Sequence, residues 1–544
     1  MRIALTCSLV LALAAASGCA KAHPTTTSPT TPAPASATPA SVTPPPASPS
    51  SSARDAREDS AAAGGRVAAL RRELDAVFDN PGVNALWGVE IQSFDTGEVL
   101  YARHAHLLLM PASNMKIVTM SVAAERLGWD YRFTTDVATD GVIAGGTLTG
   151  DLIVIGRGDP SISDRDGSRT RVFEEWAGKL KALGVTRIDG RVVGDDDALD
   201  EPAWGDGWAW DDLPFGYSAP VGALQFNENV LRLVVRPGRA GEPATAALDP
   251  EGSGLTVDAR VATTAAGIDA DLTVDRRPGT TVFRVTGHVA EGAGDVARTL
   301  AVENPTQYFA AALRQTLIAQ GIVVSGPAID IDDLTPRPNA ARRVLFTCQS
   351  PPLTQIGTTF MKVSQNLFGE TLLRTVGARD AARALPSPAA ADASAPVATP
   401  PTDVDRAREA YESVLSSWGV APGEYILRDG SGLSRYNYVT AHALVQILRR
   451  MQRDPRHAAA FDATLPIAGK DGTLASRMRA TKAAGNVHAK TGSIANVRAL
   501  SGYLTTANGE RLGFSIIANN FKALPPAIDA IAEQAVERLV HFSR

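Results

Sequence analysis

The chain has 544 residues, of which 44% are hydrophobic and 20% are charged, and its formal net charge is −5. This length predicts roughly two to four domains with substantial cores, and the composition excludes a wholly disordered protein. The slightly acidic balance argues against a nucleic-acid-binding protein, and three cysteines are too few for a disulfide scaffold or a cysteine-rich zinc site.

The N-terminus has the pattern of an export signal. Residues 3–16 form an apolar run that is too short to span a bilayer as a helix. Residues 16–19 resemble a bacterial lipoprotein box, which predicts that residues 1–18 are removed and that Cys19 carries a lipid. Ordinary cleavage nearby, which would leave Cys19 as a free thiol, is the alternative. We therefore expect an exported, periplasmic protein whose membrane attachment is a lipid on Cys19 in the outer membrane.

One low-complexity segment separates the signal from the folded part, and a second interrupts the folded part. Residues 24–53 contain only Pro, Thr, Ser, Ala and one Val. This composition predicts that residues 19–63 are a lipid-bearing cysteine followed by a disordered tether. Residues 385–403 are rich in Pro and Ala, which predicts a surface loop inserted in the folded part.

The first predicted elements after the tether are a helix, a hairpin and a second helix. Apolar residues at positions 67, 70, 74, 77 and 78 fall on one helical face. Residues 87–101 alternate around a turn at 95–98 and predict a β-hairpin. Residues 113–127 are apolar on most sides, which predicts a buried helix.

The middle of the chain has a different texture from its ends. Residues 141–299 alternate short β-rich runs with Gly-rich turns and predict one or two inserted β-rich domains. Helical patterns follow at 305–320, 364–376, 406–418, 441–452 and 525–542. Strand candidates lie at 487–490, 498–505 and 511–518. Strands at both ends suggest that residues 64–140 and 300–544 build one α+β domain around an antiparallel sheet.

A serine and a lysine stand three residues apart at the start of the predicted buried helix. One helical turn places the Ser113 hydroxyl beside the Lys116 amine. A serine hydroxyl needs an adjacent base to become a good nucleophile. A lysine amine has a pKa of about 10.4, so it acts as a base at neutral pH only when burial and a second cation lower that pKa. The pair alone is a weak signal, because chance matches are common in a long chain.

Two further motifs follow the first in a fixed order. Ser-Gln-Asn at 364–366 could by itself be a helix cap, and Lys-Thr-Gly at 490–492 could by itself be a strand followed by a turn. Together, S-x-x-K, S-x-N and K-T-G are the signature set of the penicillin-recognising serine acyltransferases. The interval between the first two motifs is wide enough to hold the predicted insertion.

With these motifs the chain resembles the D-alanyl-D-alanine carboxypeptidase/endopeptidases, the class C low-molecular-mass penicillin-binding proteins. The resemblance runs from about residue 65 to residue 542. Further matching segments, in one order, lie at 150–152, 207–212, 218–220, 227–229, 429–435 and 471–474. It implies an α+β fold, namely a penicillin-binding-protein/β-lactamase-like transpeptidase domain with an antiparallel sheet flanked by helices and with inserted β-rich domains. Gln365 is a departure, since the family often has Asp or Asn there.

The resemblance also implies the reaction and the residues that carry it. Ser113 attacks the carbonyl of a D-Ala peptide bond, Lys116 takes its proton, and Ser364 relays a proton to the leaving amine. The implied substrate-binding residues are Asn366, Lys490, Thr491, Gly492, Ser493, Asp212, Tyr217 and Arg435. The expected partners are peptidoglycan stem peptides and β-lactams, with no nucleic acid, metal or organic cofactor.

Within this set the resemblance implies finer roles. Lys490 and Thr491 hold the terminal carboxylate, and Lys490 is the second cation that lowers the pKa of Lys116. The glycine that follows lets the strand approach the substrate, and the backbone N–H groups of Ser113 and Ser493 form an oxyanion hole. Asp212 pairs with the free amine of a diamino acid, next to an aromatic wall.

Other interpretations remain to be compared with this one. A wall-binding protein without turnover, or a β-lactamase or esterase on the same fold, would carry similar motifs. Gly-Tyr-Ser-Ala-Pro at 216–220 lacks the last glycine of a hydrolase nucleophile elbow. His104 and His106 could share a metal, and Asp195 to Asp197 could bind calcium, although a polar strand end and a solvated turn fit these positions better.

Overall fold

A computed structural model describes residues 51–200, 203–251, 253–277, 279–335, 337, 341–383 and 401–544. The predicted signal peptide, Cys19, the tether up to residue 50 and the loop at 385–400 lie outside the described residues. The chain divides into two units, Met1–Glu58 and Asp59–Arg544, and the sheets and the site described below belong to the second. Among the described helices none is both long enough and apolar enough to cross a membrane.

The first segment of the fold ends at residue 127. It contains α1 (Ser51–Phe78), β1 (Leu86–Ser93), β2 (Val99–Arg103), a 3-10 turn (Ala112–Asn114) and α2 (Met115–Leu127). The predicted helix, hairpin and buried helix are all present, and α2 is buried throughout residues 115–124. Helix α1 begins at Ser51, so residues 51–63 are helical and not part of a disordered tether. Their sequence contains five Ala and two Arg, which favour helices, and lacks the prolines that precede it.

Residues 134–349 form the middle segment, called here the inserted region. Its helices are α3 (Arg171–Ala182) and α4 (Pro305–Ala319). Its strands are β3 (Thr134–Thr139), β4 (Val142–Ala144), β5 (Thr147–Thr149), β6 (Leu152–Ile155), β7 (Arg187–Asp189), β8 (Val192–Asp195), β9 (Val230–Arg236), β10 (Thr245–Asp249), β11 (Thr256–Thr264), β12 (Asp271–Asp275), β13 (Val282–Ala290), β14 (Val296–Ala301), β15 (Val323–Val324), β16 (Ala328–Asp330) and β17 (Arg343–Gln349).

The sheets of the inserted region extend past the boundaries predicted from sequence. The strand orders are β16-β8-β6-β3-β17, β15-β7-β5-β4, β10-β9-β14 and β11-β13-β12. Because β3 pairs with β17 and with β6, this region begins before residue 141 and ends after residue 299. Helix α3 was not predicted, and α4 packs here, since Phe309 lies against Phe173 and Trp176. Composition alone did not separate this helical layer from the surrounding strands.

The last segment returns the chain to the first. Its elements are α5 (Leu353–Lys362), α6 (Asn366–Arg383), α7 (Asp403–Ser417), β18 (Tyr425–Ile426), β19 (Tyr438–Val439), α8 (Ala441–Arg453), α9 (Ala458–Thr464), β20 (His488–Ile494), β21 (Val497–Thr505), β22 (Arg511–Asn519) and α10 (Pro525–His541). Strands from both ends pair antiparallel in the order β2-β1-β22-β21-β20. The predicted α+β fold with a sheet built by both ends of the chain is confirmed. The first and last segments together are called the main region.

The main region packs helices on both faces of this sheet. Helices α1 and α10 cover one face, and α2 lies among α5 to α8 on the other. The 3-10 turn before α2 packs directly on β20. A Cβ added at Gly492 would lie 2.6 Å from the Pro111 carbonyl oxygen, so only glycine permits this approach. The third motif is thereby placed against the turn that carries the first.

Candidate active site

The first motif forms a hydrogen-bonded pair at the start of α2. Lys116 Nζ donates to Ser113 Oγ at 3.0 Å. The same ammonium group donates to Asn366 Oδ1 and to the Ser431 carbonyl oxygen, each at 2.6 Å. Three acceptors use all three donors of a charged lysine, and the side chain is fully buried. The amine is therefore fixed beside the hydroxyl.

Burial is what makes this lysine a base. It lowers the pKa of Lys116 to about 7, against the opposing charges of Asp429 and Glu370. Desolvation disfavours the charged form of an amine, so the neutral form of Lys116 is accessible near neutral pH. Burial and the neighbouring Lys116 also lower the pKa of Lys490, so the two buried amines disfavour each other's charge; the role of Lys490 as the second cation stays a prediction.

The second motif lies where a loop after α5 leads into α6. Ser364 adopts a left-handed backbone with φ 62°, and Lys490 Nζ donates to its Oγ at 2.9 Å. The same amine donates to the Thr491 carbonyl oxygen at 2.8 Å. The cleft therefore contains two serine hydroxyls, each hydrogen-bonded to its own buried lysine.

The third motif forms one wall of the cleft along β20. Asn114 Nδ2 donates to the Lys490 carbonyl oxygen at 3.0 Å, and the hydroxyls of Thr473 and Thr491 lie 2.7 Å apart. The cleft has a volume of about 500 Å³ and is lined by Ser113, Asp212, Tyr217, Ser364, Asn366, Gly432, Leu433, Arg435, Thr473, Thr491, Ser493, Ile494 and Ala495. A larger groove of about 880 Å³ between α1 and α10 contains none of the motif residues.

The inserted region supplies one edge of the cleft. Tyr217 OH donates to Asp212 Oδ1 at 2.6 Å; Tyr217 is exposed, and Asp212 is half-buried. Burial of its ring and this hydrogen bond raise the pKa of Tyr217. The Tyr217 carbonyl oxygen accepts from Asn366 Nδ2 at 2.8 Å, which attaches this edge to the second motif. Opposite, Arg435 donates to the Ala495 carbonyl oxygen at 3.3 Å.

A buried carboxyl group that sequence reasoning missed supports Lys116 from behind. Glu370 accepts from the backbone N–H groups of Gly430 and Ser431, at 3.1 and 2.8 Å, and so holds the carbonyl that Lys116 contacts. Burial, and then the charge of Asp429, raise the pKa of Glu370 to about 8. The raised pKa weakens the negative charge near Lys116. A single acidic residue in the apolar run after Asn366 was the available signal.

The residues of the competing site predictions have other contacts in the structure. His104 Nδ1 bonds the Trp87 carbonyl oxygen, and His106 Nδ1 bonds Glu424, so the two rings have separate partners. Asp196 lies within 4.8 Å of the carboxylates of Asp330 and Asp332. Arg337 pairs with Asp332 and with the neighbouring Asp197, so a guanidinium supplies positive charge there. The hydroxyl of the serine at 218 is buried.

Comparisons with known proteins give a family, relatives and similar structures. A family described as "D-Ala-D-Ala carboxypeptidase 3 (S13) family" matches residues 70–539. A D-alanyl-D-alanine carboxypeptidase of Actinomadura sp. (strain R39) is 34% identical over 494 residues, which cover 88% of this chain and 87% of the relative. The crystal structure of penicillin binding protein 4 (dacB) from Haemophilus influenzae is 25% identical, covers 87% of this chain and 99% of its own, and superposes with a TM-score of 0.72. A second structure of that protein, with a TM-score of 0.68 and 24% identity, is a complex with a β-lactam.

Proposed function

The chain belongs to the D-Ala-D-Ala carboxypeptidase 3 (S13) family, and from this membership we propose that Ser113 is the nucleophile of a serine-type D-Ala-D-Ala carboxypeptidase acting on peptidoglycan stem peptides. The family resemblance drawn from the motifs is confirmed, and with it the enzyme class. One observation supports the assignment of residues above all others: a single cleft contains two serine hydroxyls, each bonded to a buried lysine.

Acylation uses the first serine–lysine pair. Neutral Lys116 removes the proton from Ser113 Oγ, which attacks the carbonyl carbon of the penultimate D-alanine. The new bond joins Oγ to that carbon, and the backbone N–H groups of Ser113 and Ser493 stabilise the oxyanion. The C–N bond then breaks, and Ser364 delivers a proton to the departing D-alanine nitrogen. The proton held by Lys116 then reaches Ser364 through the amine and hydroxyl groups of the cleft and replaces the proton that Ser364 gave up.

Substrate orientation and deacylation use the remaining groups. Lys490 and Thr491 bind the terminal carboxylate of the substrate, and Asn366 bonds the amide backbone as well as Lys116. At Gly492 the backbone of β20 lies close to the Pro111 carbonyl oxygen, directly before the 3-10 turn under the cleft. After D-alanine leaves, water attacks the ester with Lys116 again as base, which restores Ser113.

The test is covalent labelling at the nucleophile. Incubated with penicillin, the protein should gain one acyl group, and mass spectrometry should locate it on Ser113. Ser113→Ala should remove the label and the release of D-alanine. Ser493→Ala is the matched control, because its proposed contribution is the backbone N–H and not the hydroxyl. A label that persists in Ser113→Ala refutes the assignment.

The same chemistry extends to two related substrates. A cross-link between stem peptides contains the same D-alanyl carbonyl, so we include DD-endopeptidase activity in the proposal. β-Lactams acylate Ser113 through their ring carbonyl. Release of D-alanine faster than turnover of penicillin separates a carboxypeptidase from a β-lactamase, and failure of both reactions would favour a wall-binding protein.

The location of the protein is a further part of the proposal. The apolar run at 3–16 and the box at 16–19 support export to the periplasm with a lipid on Cys19. Two acyl chains or more give stable attachment to a membrane. Cys19→Ser should move the protein from the membrane fraction to the soluble periplasmic fraction. Cys348→Ser, which changes the free thiol within the fold, should leave it in place, and a soluble wild-type protein contradicts the lipid.

A further inference from the structure

The residue between the two functional side chains of the second motif reaches into the inserted region. Gln365 Nε2 donates to Glu228 Oε2, while Gln365 Oε1 accepts from the Leu367 backbone N–H at 3.2 Å. Asn366, the next residue, donates to a carbonyl of the inserted region as described above. The loop at 364–366 is therefore held by the main region on one side and by the inserted region on the other.

Glu228 sits on an unusual turn that fixes its direction. Residues 227, 228 and 229 all have φ between 51° and 56°, a left-handed conformation that non-glycine residues rarely adopt. Asn227 Nδ2 donates to the Val230 carbonyl oxygen at 3.1 Å, and Asn229 Nδ2 to that of Pro220 at 2.8 Å. Such backbone persists where surrounding bonds enforce it, and it occurs preferentially at functional sites.

The Glu228 carboxylate is also held in place by contacts other than the one with Gln365. Glu228 is only 8% exposed, and Arg165 donates to both of its oxygens. The loop that it bonds is also strained, because Ser364 has a left-handed backbone. A strained loop relaxes unless it is anchored, and relaxation would move Ser364 Oγ away from Lys490 Nζ.

We propose that Glu228 is a positioning residue that holds Ser364 in its catalytic geometry through Gln365. The inserted region thereby sets the placement of the proton-relay serine. This inference rests on the proposed role of Ser364, and it involves the position where this chain departs from the Asp or Asn that is frequent in the family. A glutamine is long enough to reach Glu228 in this structure.

The experiment compares three variants on two substrates. Gln365→Ala removes the bridge, Gln365→Glu opposes two carboxylates, and Gln365→Glu combined with Glu228→Gln restores an amide–carboxylate pair with reversed roles. One substrate is a D-Ala-D-Ala peptide, whose leaving amine needs a proton. The other is a thiolester analogue, whose thiolate leaves without one, so a misplaced Ser364 should affect it less.

We expect kcat/KM on the peptide to fall about 10-fold in Gln365→Ala and about 100-fold in Gln365→Glu, mainly through kcat, since small displacements of catalytic groups have effects of this size. The thiolester should lose less than about 3-fold, and the double variant should recover at least about 10-fold over Gln365→Glu. Asp151→Asn is the matched control, because Asp151 is a similarly buried carboxylate paired with Arg191 in the inserted region. It should leave both rates unchanged.

The outcomes separate this inference from the proposed function. Wild-type kcat/KM in Gln365→Ala, equal losses on both substrates, or no recovery in the double variant overturns the positioning role. If Gln365→Glu fails to fold, the peptide-to-thiolester ratio in Gln365→Ala alone decides. A wild-type protein that releases D-alanine and is labelled at Ser113 confirms the proposed function whichever way the variants behave.

Discussion

The main region and the inserted region both line the cleft, but they hold their side chains there in different ways. Lys116 and Lys490 of the main region are fully buried and each bonds a serine hydroxyl. In the inserted region Tyr217 is exposed and Asp212 is half-buried, and the two side chains form a hydrogen bond with each other. Buried groups at the reacting bond meet every substrate, whereas exposed groups at the edge meet only substrates that extend to them.

This contrast predicts how substitutions in the two regions change the reaction rate. Changes among the buried groups should lower the rate on every substrate, with penicillin included. Changes at the exposed edge should alter the choice between substrates and leave acylation by penicillin intact. The following predictions test that division, beginning with the largest effect.

The largest effect is expected at Lys116. Arginine remains charged at all accessible pH values, so Lys116→Arg removes the base and should slow acylation about 10³-fold on both peptide and penicillin. In the wild type, acylation should rise through an apparent pKa of about 7, because the neutral amine is the active form. Stopped-flow acylation between pH 5.5 and 8.5 measures this limb. Lys179→Arg, on α3, should keep it, and a flat wild-type profile would contradict the assignment of the base.

A smaller and selective effect is expected at Asp212. Loss of a charged hydrogen bond at a partly exposed site is worth about 1–2 kcal/mol, so Asp212→Asn should lower kcat/KM about 10-fold on a stem peptide with a free side-chain amine. The acetylated peptide and penicillin should react as with the wild type. Asp211→Asn is the adjacent control. Equal losses on both peptides would make Asp212 a structural partner of Tyr217 only.

The main region was far easier to predict than the inserted one, for a physical reason. Ser113 and Lys116 are one helical turn apart, so local geometry brings them together whatever surrounds them. The amphipathic and alternating patterns of α1, β1 and α10 likewise depend on nearby residues. The resemblance supplied Asp212 and Tyr217, and the structure places both in the cleft.

What the sequence did not reveal depends on contacts between distant segments. Strands β3 and β17 pair across the whole inserted region, so the predicted boundaries at 141 and 299 fell inside it. Glu370 resembles an ordinary acidic residue until the fold places it beside Gly430 and Ser431, and the matching segment at 227–229 gives no sign that Glu228 bonds Gln365. No short pattern encodes such a pairing, because the partner lies far away along the chain.

The smallest predicted effect is a pH dependence of the free energy of unfolding. It is compared between one ion pair in the main region and one in the inserted region. In the main region His442 Nδ1 lies 2.9 Å from Glu90 Oε2, and this hydrogen bond raises the pKa of His442 despite partial burial, with Glu424 adding to the effect. The centroid of the His106 ring lies 4.4 Å from that of His442, with the two ring planes tilted by 41°. In the inserted region Arg191 pairs with Asp151, a pair that contains no histidine.

The sign of the effect follows from that raised pKa. A histidine whose folded pKa exceeds its unfolded value, about 6.5, stabilises the fold fully below pH 6.5 and loses this contribution as the pH rises through the folded pKa. His442→Gln should therefore lower the free energy of unfolding by less than ~1 kcal/mol at pH 6, because the pair is partly exposed, and by much less at pH 8.5. Urea unfolding at both pH values measures the difference. Asp151→Asn should have the same effect at both, and a pH-independent loss in His442→Gln would mean that the hydrogen bond, and not the charge, joins α8 to the sheet.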